Sequence, residues 1–124
     1  MIAYTTLGTN NLDRALVFYD ALLGEIGGAR AAELPGIVLY AGAEGTPFFA
    51  VAEPWDKQDA TIGNGSMIGL GAESQEAVDR LYRRAIDLGA TGDGEPGPRE
   101  RGALAFYAGY FRDLDGNKLS FFYM

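Results

Sequence analysis

Neither of the two side chains that most often carry out chemistry in proteins, the cysteine thiol and the histidine imidazole, occurs in this sequence. Without histidine the chain lacks the usual general base at neutral pH and the commonest metal ligand. Without cysteine it can form neither thiolates nor disulfides. Acid–base chemistry would therefore depend on carboxylates or tyrosines. Glu53, near the end of a predicted strand, is a candidate base, although a solvated charge is the more ordinary role of a carboxylate there.

Three further groups of residues have the wrong spacing or setting for the sites that they superficially match. Residues 113–117 alternate carboxylates like a calcium loop, but their glycine is fourth rather than sixth, so we predict a turn. Gly63 and Gly65 precede a predicted strand rather than a helix, which does not match a dinucleotide-binding loop. A basic cluster on a predicted helix has acidic neighbours, which favours a solvated, ion-paired face over an anion site; its members are Arg80, Arg83 and Arg84.

The composition is that of a folded domain with an acidic surface. At 124 residues, 48% of them hydrophobic, the chain suits one compact domain or two half-domains that share a core. Ten Lys and Arg against seventeen Asp and Glu give a net charge of −7, which repels nucleic-acid phosphates and anionic membranes. We find neither a leader-like start nor an apolar stretch of about eighteen residues, and we expect a cytoplasmic protein. A small molecule is the expected partner.

The first half of the chain predicts a strand, a helix and three more strands. Residues 1–9 are β-branched and apolar, and Asn10 or Asn11 can then cap a helix. Apolar residues recur at three- and four-residue steps and stop before Gly24, which predicts this buried stripe: Leu12, Ala15, Leu16, Tyr19, Leu22 and Leu23. The β-like runs that follow predict an antiparallel meander, at about 29–34, 37–42 and 47–53. Residues 54–65 carry turn formers without periodicity and predict a connector.

The second half repeats this order. A run at 66–72 predicts a strand, and Ser74 can cap a helix that ends at Gly89. Its predicted buried stripe is Val78, Leu81, Tyr82, Ala85 and Leu88. Residues 92–102, rich in Gly and Pro, predict a loop or an irregular edge strand. Two further strands joined as a hairpin are predicted at 104–112 and 118–123.

The two halves align weakly with each other. A shift of 63 residues, the difference between positions 15 and 78, superposes the two helical stripes and places Leu7-Gly8 on Leu70-Gly71. Each half predicts a four-stranded sheet with one helix on one face, so its other face needs a cover or a ligand. The predicted fold class is therefore α+β, with two βαβββ modules, the first at about 1–55, a linker at 56–64 and the second at 65–124.

Three segments resemble the vicinal oxygen chelate superfamily, which contains glyoxalase I, the bleomycin-resistance proteins and the extradiol dioxygenases. The first helix contributes Asn11–Ala15 with Phe18-Tyr19, and Tyr110–Leu119 is similar to the family's aromatic-x-x-Asp-Pro-Asp-Gly-Asn hairpin, with Leu114 in place of proline. Glu95–Arg99 resembles a loop of one branch of glyoxalase-like proteins. The resemblance implies a single domain of two modules whose mixed sheets curl into an open cup with helices outside, and a homodimer.

The resemblance also indicates where a metal site would lie, because metal-dependent members of the superfamily place four metal ligands inside the cup. Carried over by position, these fall on Tyr4, on Ala50 within a residue or two, on Met67 and on Ser120. Divalent metals need imidazole, carboxylate or thiolate ligands, which these residues do not provide. We therefore expect no metal and no cofactor, and we assign no catalytic residue.

The expected function is that of a glyoxalase/bleomycin-resistance-like protein without the metal site, which binds a small apolar or aromatic molecule in the cup. The expected lining is Tyr4, Phe48, Ala50, Met67, Ser120 and Phe122. Several of these have ordinary roles as well: Tyr4 and Met67 as packing residues, Ser120 as an edge hydroxyl. Two alternatives stay open, a glyoxalase-like lyase or isomerase with non-standard catalytic groups and a non-catalytic dimerisation or regulatory module.

Overall fold

The computed structural model describes all residues, 1–124, and the chain divides into two compact units, Met1–Ile62 and Gly63–Met124. We call these the first and the second module. Each contains one helix and four strands in the order β-α-β-β-β, which confirms the predicted α+β fold class. The first module has β1 (Tyr4–Gly8), α1 (Leu12–Gly24), β2 (Ala29–Leu34), β3 (Ile37–Ala41) and β4 (Phe48–Ala52). The second has β5 (Ile68–Gly71), α2 (Gln75–Asp87), β6 (Thr91–Arg101), β7 (Leu104–Arg112) and β8 (Lys118–Tyr123).

The sheet of the first module is mixed, with the strand order β1-β4-β3-β2. Strands β2, β3 and β4 form the predicted antiparallel meander, and β1 pairs with β4 in parallel, which places Tyr4 beside Phe48 and Gly8 beside Ala52. The chain between these two parallel neighbours is long enough for the crossover that a parallel pair requires, and it contains α1, β2 and β3.

Helix α1 begins as its sequence predicts. Asn11 is the N-cap, and its side-chain oxygen accepts a hydrogen bond of 3.0 Å from the backbone N–H of Arg14. The buried side chains of the helix are Ala15, Leu16, Phe18, Tyr19, Leu22 and Leu23. Burial of this stripe holds the helix on one face of the sheet, where the ring of Tyr19 lies 5.1 Å from that of Phe49.

The sheet of the second module has the equivalent order, β5-β8-β7-β6, with β5 parallel to β8. Segment 92–102 is an edge strand rather than a loop, because β6 pairs with β7 along most of its length. Its register shifts twice, between Gly92 and Gly94 and between Gly94 and Gly97. An edge strand tolerates such irregularities, and the two prolines among these residues, because one of its sides needs no hydrogen-bonded neighbour.

Helix α2 is capped by Ser74, whose hydroxyl accepts a 3.0 Å hydrogen bond from the backbone N–H of Ala77. Its buried side chains are Ala77, Val78, Leu81, Tyr82 and Ala85. Across the sheet beneath it, the rings of Phe111 and Phe121 stack at 5.4 Å. Neither α1 nor α2 has the length and apolar character needed to cross a bilayer.

The turn between β7 and β8 is built around one buried carboxylate. Asp113 accepts hydrogen bonds of 2.9 Å from the backbone N–H groups of Asp115 and Asn117 and from the Asn117 side-chain amide. Gly116 has φ +87°, which favours glycine, and the side chain of Leu114 approaches Gly89 just beyond α2. The predicted turn is therefore present at 113–117.

Candidate functional site

Each sheet has one face covered by its own helix and one face that the helix does not cover. In the first module, Tyr40 donates a 2.8 Å hydrogen bond to Asp20 of α1, and Phe49 contacts Tyr19. Because side chains alternate along a strand, the neighbours of Tyr40 and Phe49 point to the opposite side, which we call the helix-free face. Ala50 lies there.

Three of the predicted site residues share the helix-free face of the first sheet. Tyr4 and Phe48 are register partners at the start of the parallel pair, and Ala50 is two residues further along β4. Ala50 is fully buried, Phe48 is half-buried and Tyr4 is 63% exposed. The phenol of Tyr4 therefore stands at an accessible edge of this face, above a floor of small and aromatic side chains.

A cleft of about 560 Å³ continues from this floor to the connector that follows β4. Its strand side includes Thr6, Gly8, Ile37 and Ala52, and its outer wall is the segment 53–61. Trp55 is 97% exposed at this wall, and it is the only tryptophan in the chain. A nearly fully exposed indole beside a cleft is unusual for so large an apolar side chain, and it offers a flat surface to a ligand.

The connector is held in place by the residue before the cap of α1. The side-chain amide of Asn10 donates to the carbonyl of Ala60 at 3.1 Å, and its oxygen accepts from the Ala60 N–H at 2.7 Å. A Cβ on Gly8 would come within 3.1 Å of the Ala60 Cβ, so glycine permits this close approach. The sequence analysis assigned 54–65 only as a connector and missed its role as a wall; the lone tryptophan among turn residues was the available signal.

The charges around the cleft are mostly negative. Glu53, Asp56 and Asp59 line it together with one cation, Lys57. The Asp56 carboxylate accepts a 3.0 Å hydrogen bond from the Gln58 N–H and so helps to form the turn. Glu53, the candidate base, is exposed, with its carboxylate facing Gly36 across the cleft wall.

The remaining predicted site residues belong to the second module. Ser120 and Phe122 lie on β8 and alternate with Phe121, whose ring stacks on Phe111 beneath α2, so they point to the helix-free face of the second sheet. Ser120 is buried and pairs with Gly69 of β5. Met67 directly precedes β5 rather than lying in it, and it is 48% exposed.

An aromatic and cationic cluster, which the sequence analysis did not identify, occupies the same helix-free face. The rings of Phe106 and Phe122 lie 5.3 Å apart. The guanidinium of Arg99 lies 5.6 Å from the ring centre of Tyr110, and the Lys118 ammonium lies 5.4 Å from it. We call these five side chains the Tyr110 cluster.

One carboxylate forms ion pairs with two cations at this cluster. Asp93 accepts from Lys118 at 3.2 Å and from Arg112 at 3.0 Å. The hydrogen bond from Lys118, with the charges of both cations, holds the pKa of Asp93 below its usual range despite some desolvation. Asp93 is therefore ionised at neutral pH and neutralises one of these two cations.

The sequence model of the Glyoxalase/Bleomycin resistance protein/Dioxygenase superfamily matches residues 1–121. This chain belongs to that superfamily. The match covers both modules, so the superfamily resemblance predicted from the first helix and the β7–β8 hairpin is confirmed. No curated protein matches significantly.

Solved structures of similar proteins agree with this membership. A glyoxalase/bleomycin resistance protein from Albidiferax ferrireducens is 34% identical, with 98% of each chain covered and a TM-score of 0.89. A hypothetical protein from S. aureus is 25% identical, with coverage of 100% of this chain and 93% of that one and a TM-score of 0.76. A structure titled lactoylglutathione lyase, from Agrobacterium tumefaciens, shares the fold at 19% identity, with coverage of 98% and 92% and a TM-score of 0.71.

The residues of this superfamily member do not fit a divalent metal. The four positions at which metal-dependent relatives are expected to place ligands hold Tyr4, Ala50, Met67 and Ser120, which provide no imidazole, carboxylate or thiolate. No group of three or more His, Cys, Asp or Glu side chains is arranged to hold an ion.

Proposed function

We propose that this superfamily member binds a small apolar or aromatic molecule on a helix-free face of its sheets, without a metal ion. The observation that carries the proposal is the cleft of about 560 Å³ beside Trp55. Its size is within the range of about 300–1,000 Å³ that is usual for small-molecule sites, and its floor is mainly apolar.

The proposed contacts combine aromatic surface with few polar groups. On the first sheet, Tyr4, Phe48 and Ala50 extend the cleft floor along the same face. The second sheet, taken by itself, offers Phe122 and the partly exposed Met67, which directly precedes β5, with the buried Ser120 two residues before Phe122 on the same face. Such a lining suits a ligand that is held by apolar contact and oriented by one or two hydrogen bonds.

A second candidate function is an isomerase or lyase reaction that uses a carboxylate instead of a metal. The observation in its favour is that Glu53 lines the cleft, where a bound molecule with an acidic C–H would meet a base. Substitution Glu53→Gln separates the two candidates, because binding alone tolerates the loss of the charge whereas turnover does not. A homodimer remains a prediction, which native mass spectrometry of the purified chain would test.

The binding proposal is tested with cinnamamide, a neutral aromatic amide, by calorimetry and by the emission of Trp55 corrected for probe absorbance. We expect saturable binding that chelators leave unchanged. Thr6→Phe places a ring in the cleft and should weaken binding at least about tenfold, because the ring occupies space that the ligand would fill. The matched control Thr91→Phe, at an exposed position of β6, should bind like the wild type.

Two results would contradict the proposal. One is the absence of saturable cinnamamide binding in folded protein. The other is tight, stoichiometric binding of zinc, nickel, manganese or iron, because it would mean that the chain supplies a donor set that the site residues do not contain.

A further inference from the structure

The Tyr110 cluster carries positive charge in a protein of net charge −7. Arg99, Lys118 and the adjacent Arg112 contribute three cations, whereas Asp93 contributes one carboxylate. Lys118 and Arg112 share that carboxylate. Glu95 lies near Tyr82 beneath α2, on the covered side of the sheet, so it does not neutralise this face.

Arg99 differs from its two neighbours in the groups that it binds. Its guanidinium donates to the backbone carbonyls of Glu95, at 2.6 Å, and Pro98, at 3.0 Å, rather than to a carboxylate. These bonds fix the side chain back along its own strand and over Tyr110. A guanidinium has five N–H donors, so donors remain for a ligand.

The local backbone is adapted to this placement of Arg99. The register shifts of β6 fall at Gly94 and Gly97, within and just before the segment Glu95–Arg99. Gly94 has φ +150°, and a Cβ on Gly97 would lie 3.1 Å from an Arg99 terminal nitrogen. Glycine at 97 therefore leaves the space in which the guanidinium lies. This gives the segment Glu95–Arg99, singled out in the sequence, a physical role.

Apolar surface lies on the same face of the sheet as the guanidinium. Phe106 is the register partner of Arg99 and contacts Phe122. Tyr110 is the register partner of Ser120, whose side chain is buried with its hydroxyl facing Gly69. One face of three adjacent strands thus carries a fixed cation and two phenyl rings.

We propose that this face binds the carboxylate of a small aromatic or apolar acid, with Arg99 as the anion-binding residue and Phe106 and Phe122 packing against the body of the ligand. Arginine suits a carboxylate because two parallel N–H donors match its two oxygens. The inference rests on the proposed function in placing the ligand on a helix-free face, and it adds the chemical class of that ligand.

The test compares cinnamate with cinnamamide, which have the same shape and differ in charge, by calorimetry on the full chain. We expect cinnamate to bind more tightly. Arg99→Gln should weaken cinnamate at least about tenfold, as for other charge-assisted hydrogen bonds, while changing cinnamamide less than about twofold. Arg99→Lys keeps the charge and should retain part of the preference. Arg80→Gln, an exposed position on α2, removes the same net charge and should change neither affinity.

The outcomes separate the two proposals. Equal affinities for cinnamate and cinnamamide, with no effect of Arg99→Gln, would overturn the acid-binding inference and leave the binding of neutral aromatics intact. Binding of cinnamate that depends on Arg99, without binding of cinnamamide, would support the inference and contradict the broader proposal. Failure of both probes in folded protein would overturn both. Thermal unfolding of each variant identifies any that do not fold.

Discussion

The two modules share an element order but use one recurring contact in different surroundings. In each, an aspartate on the helix accepts a 2.8 Å hydrogen bond from a tyrosine on the third strand, Asp20 from Tyr40 and Asp79 from Tyr107. Tyr40 is 1% exposed and Tyr107 is half-buried. The same pairing therefore secures a buried hydroxyl in the first module and a partly solvated one in the second.

The first module also adds a cation to its pair. Arg30 of β2 donates to both carboxylate oxygens of Asp20, at 2.7 and 2.9 Å. This contact lowers the pKa of Asp20, opposed by partial desolvation, and burial together with the bond to Asp20 raises the pKa of Tyr40. In the second module, the bond to Asp79 raises the pKa of Tyr107.

The helix-free faces differ even more. The first borders a cleft with acidic side chains, and the second carries the positively charged Tyr110 cluster. The two modules thus share the arrangement of helix and sheet, whereas their helix-free faces differ in chemistry. The shared element order therefore does not imply that the two helix-free faces bind the same kind of molecule.

The largest expected effects test whether the two helices are equally anchored. Leu22→Ala in α1 and Leu81→Ala in α2 both remove side chains that are at most 1% exposed, and each should lower the free energy of unfolding by about 2 to 5 kcal/mol in urea titrations. The control Leu34→Ala, at a 58% exposed position, should cost less than about 1 kcal/mol. A small effect in only one helix would show that the modules are not equivalent in their cores.

Intermediate effects should separate the two tyrosine contacts. Tyr40→Phe removes the hydroxyl of a side chain that is 1% exposed, and with it a hydrogen bond to the charged carboxylate of Asp20, so it should cost about 2 kcal/mol. Tyr107→Phe should cost about 1 kcal/mol or less, because the Tyr107 side chain is only half-buried and water competes for its hydroxyl. Equal losses in chemical denaturation would contradict the difference in burial between the two contacts.

The smallest effects concern pH. The folded-state pKa of Asp20 lies below its ordinary value of 3.8, so its contribution to stability is complete above that value and is lost as pH falls through the folded pKa. Asp93 behaves in the same way in the second module. We expect Asp20→Asn and Asp93→Asn each to make the unfolding free energy less dependent on pH below about 4. An acid dependence identical to that of the wild type in both variants would refute this.

Local signals in the sequence predicted most of the fold. Asn11 and Ser74 marked both helix starts, and periodicity gave β7 and β8 their full extents. Strand β6 was left between two interpretations because its glycines and prolines have low strand propensity, and only the pairing with β7, a tertiary contact, decides it.

The candidate site was less predictable. The positions carried over from the superfamily identified Tyr4 and Ser120 as residues of the helix-free faces, since strand alternation follows from the sequence. The wall formed by Trp55 and the contact of Arg99 with Tyr110 depend on turn geometry and on register shifts. Neither turn geometry nor a register shift produces a periodic pattern that can be recognised in a single sequence.

The carboxylate-centred turn after β7 has a consequence for how this chain can vary. Asp113 makes the hydrogen bonds that shape the turn, so the residue at 114 does not have to fix its backbone conformation. The side chain of Leu114 lies instead beside Gly89, just beyond the end of α2. A Cβ at position 89 would lie 3.0 Å from a methyl of Leu114, at a backbone with φ +107°. Positions 89 and 114, distant in sequence, are thus coupled: a smaller residue at 114 relieves crowding at 89 but not its backbone strain.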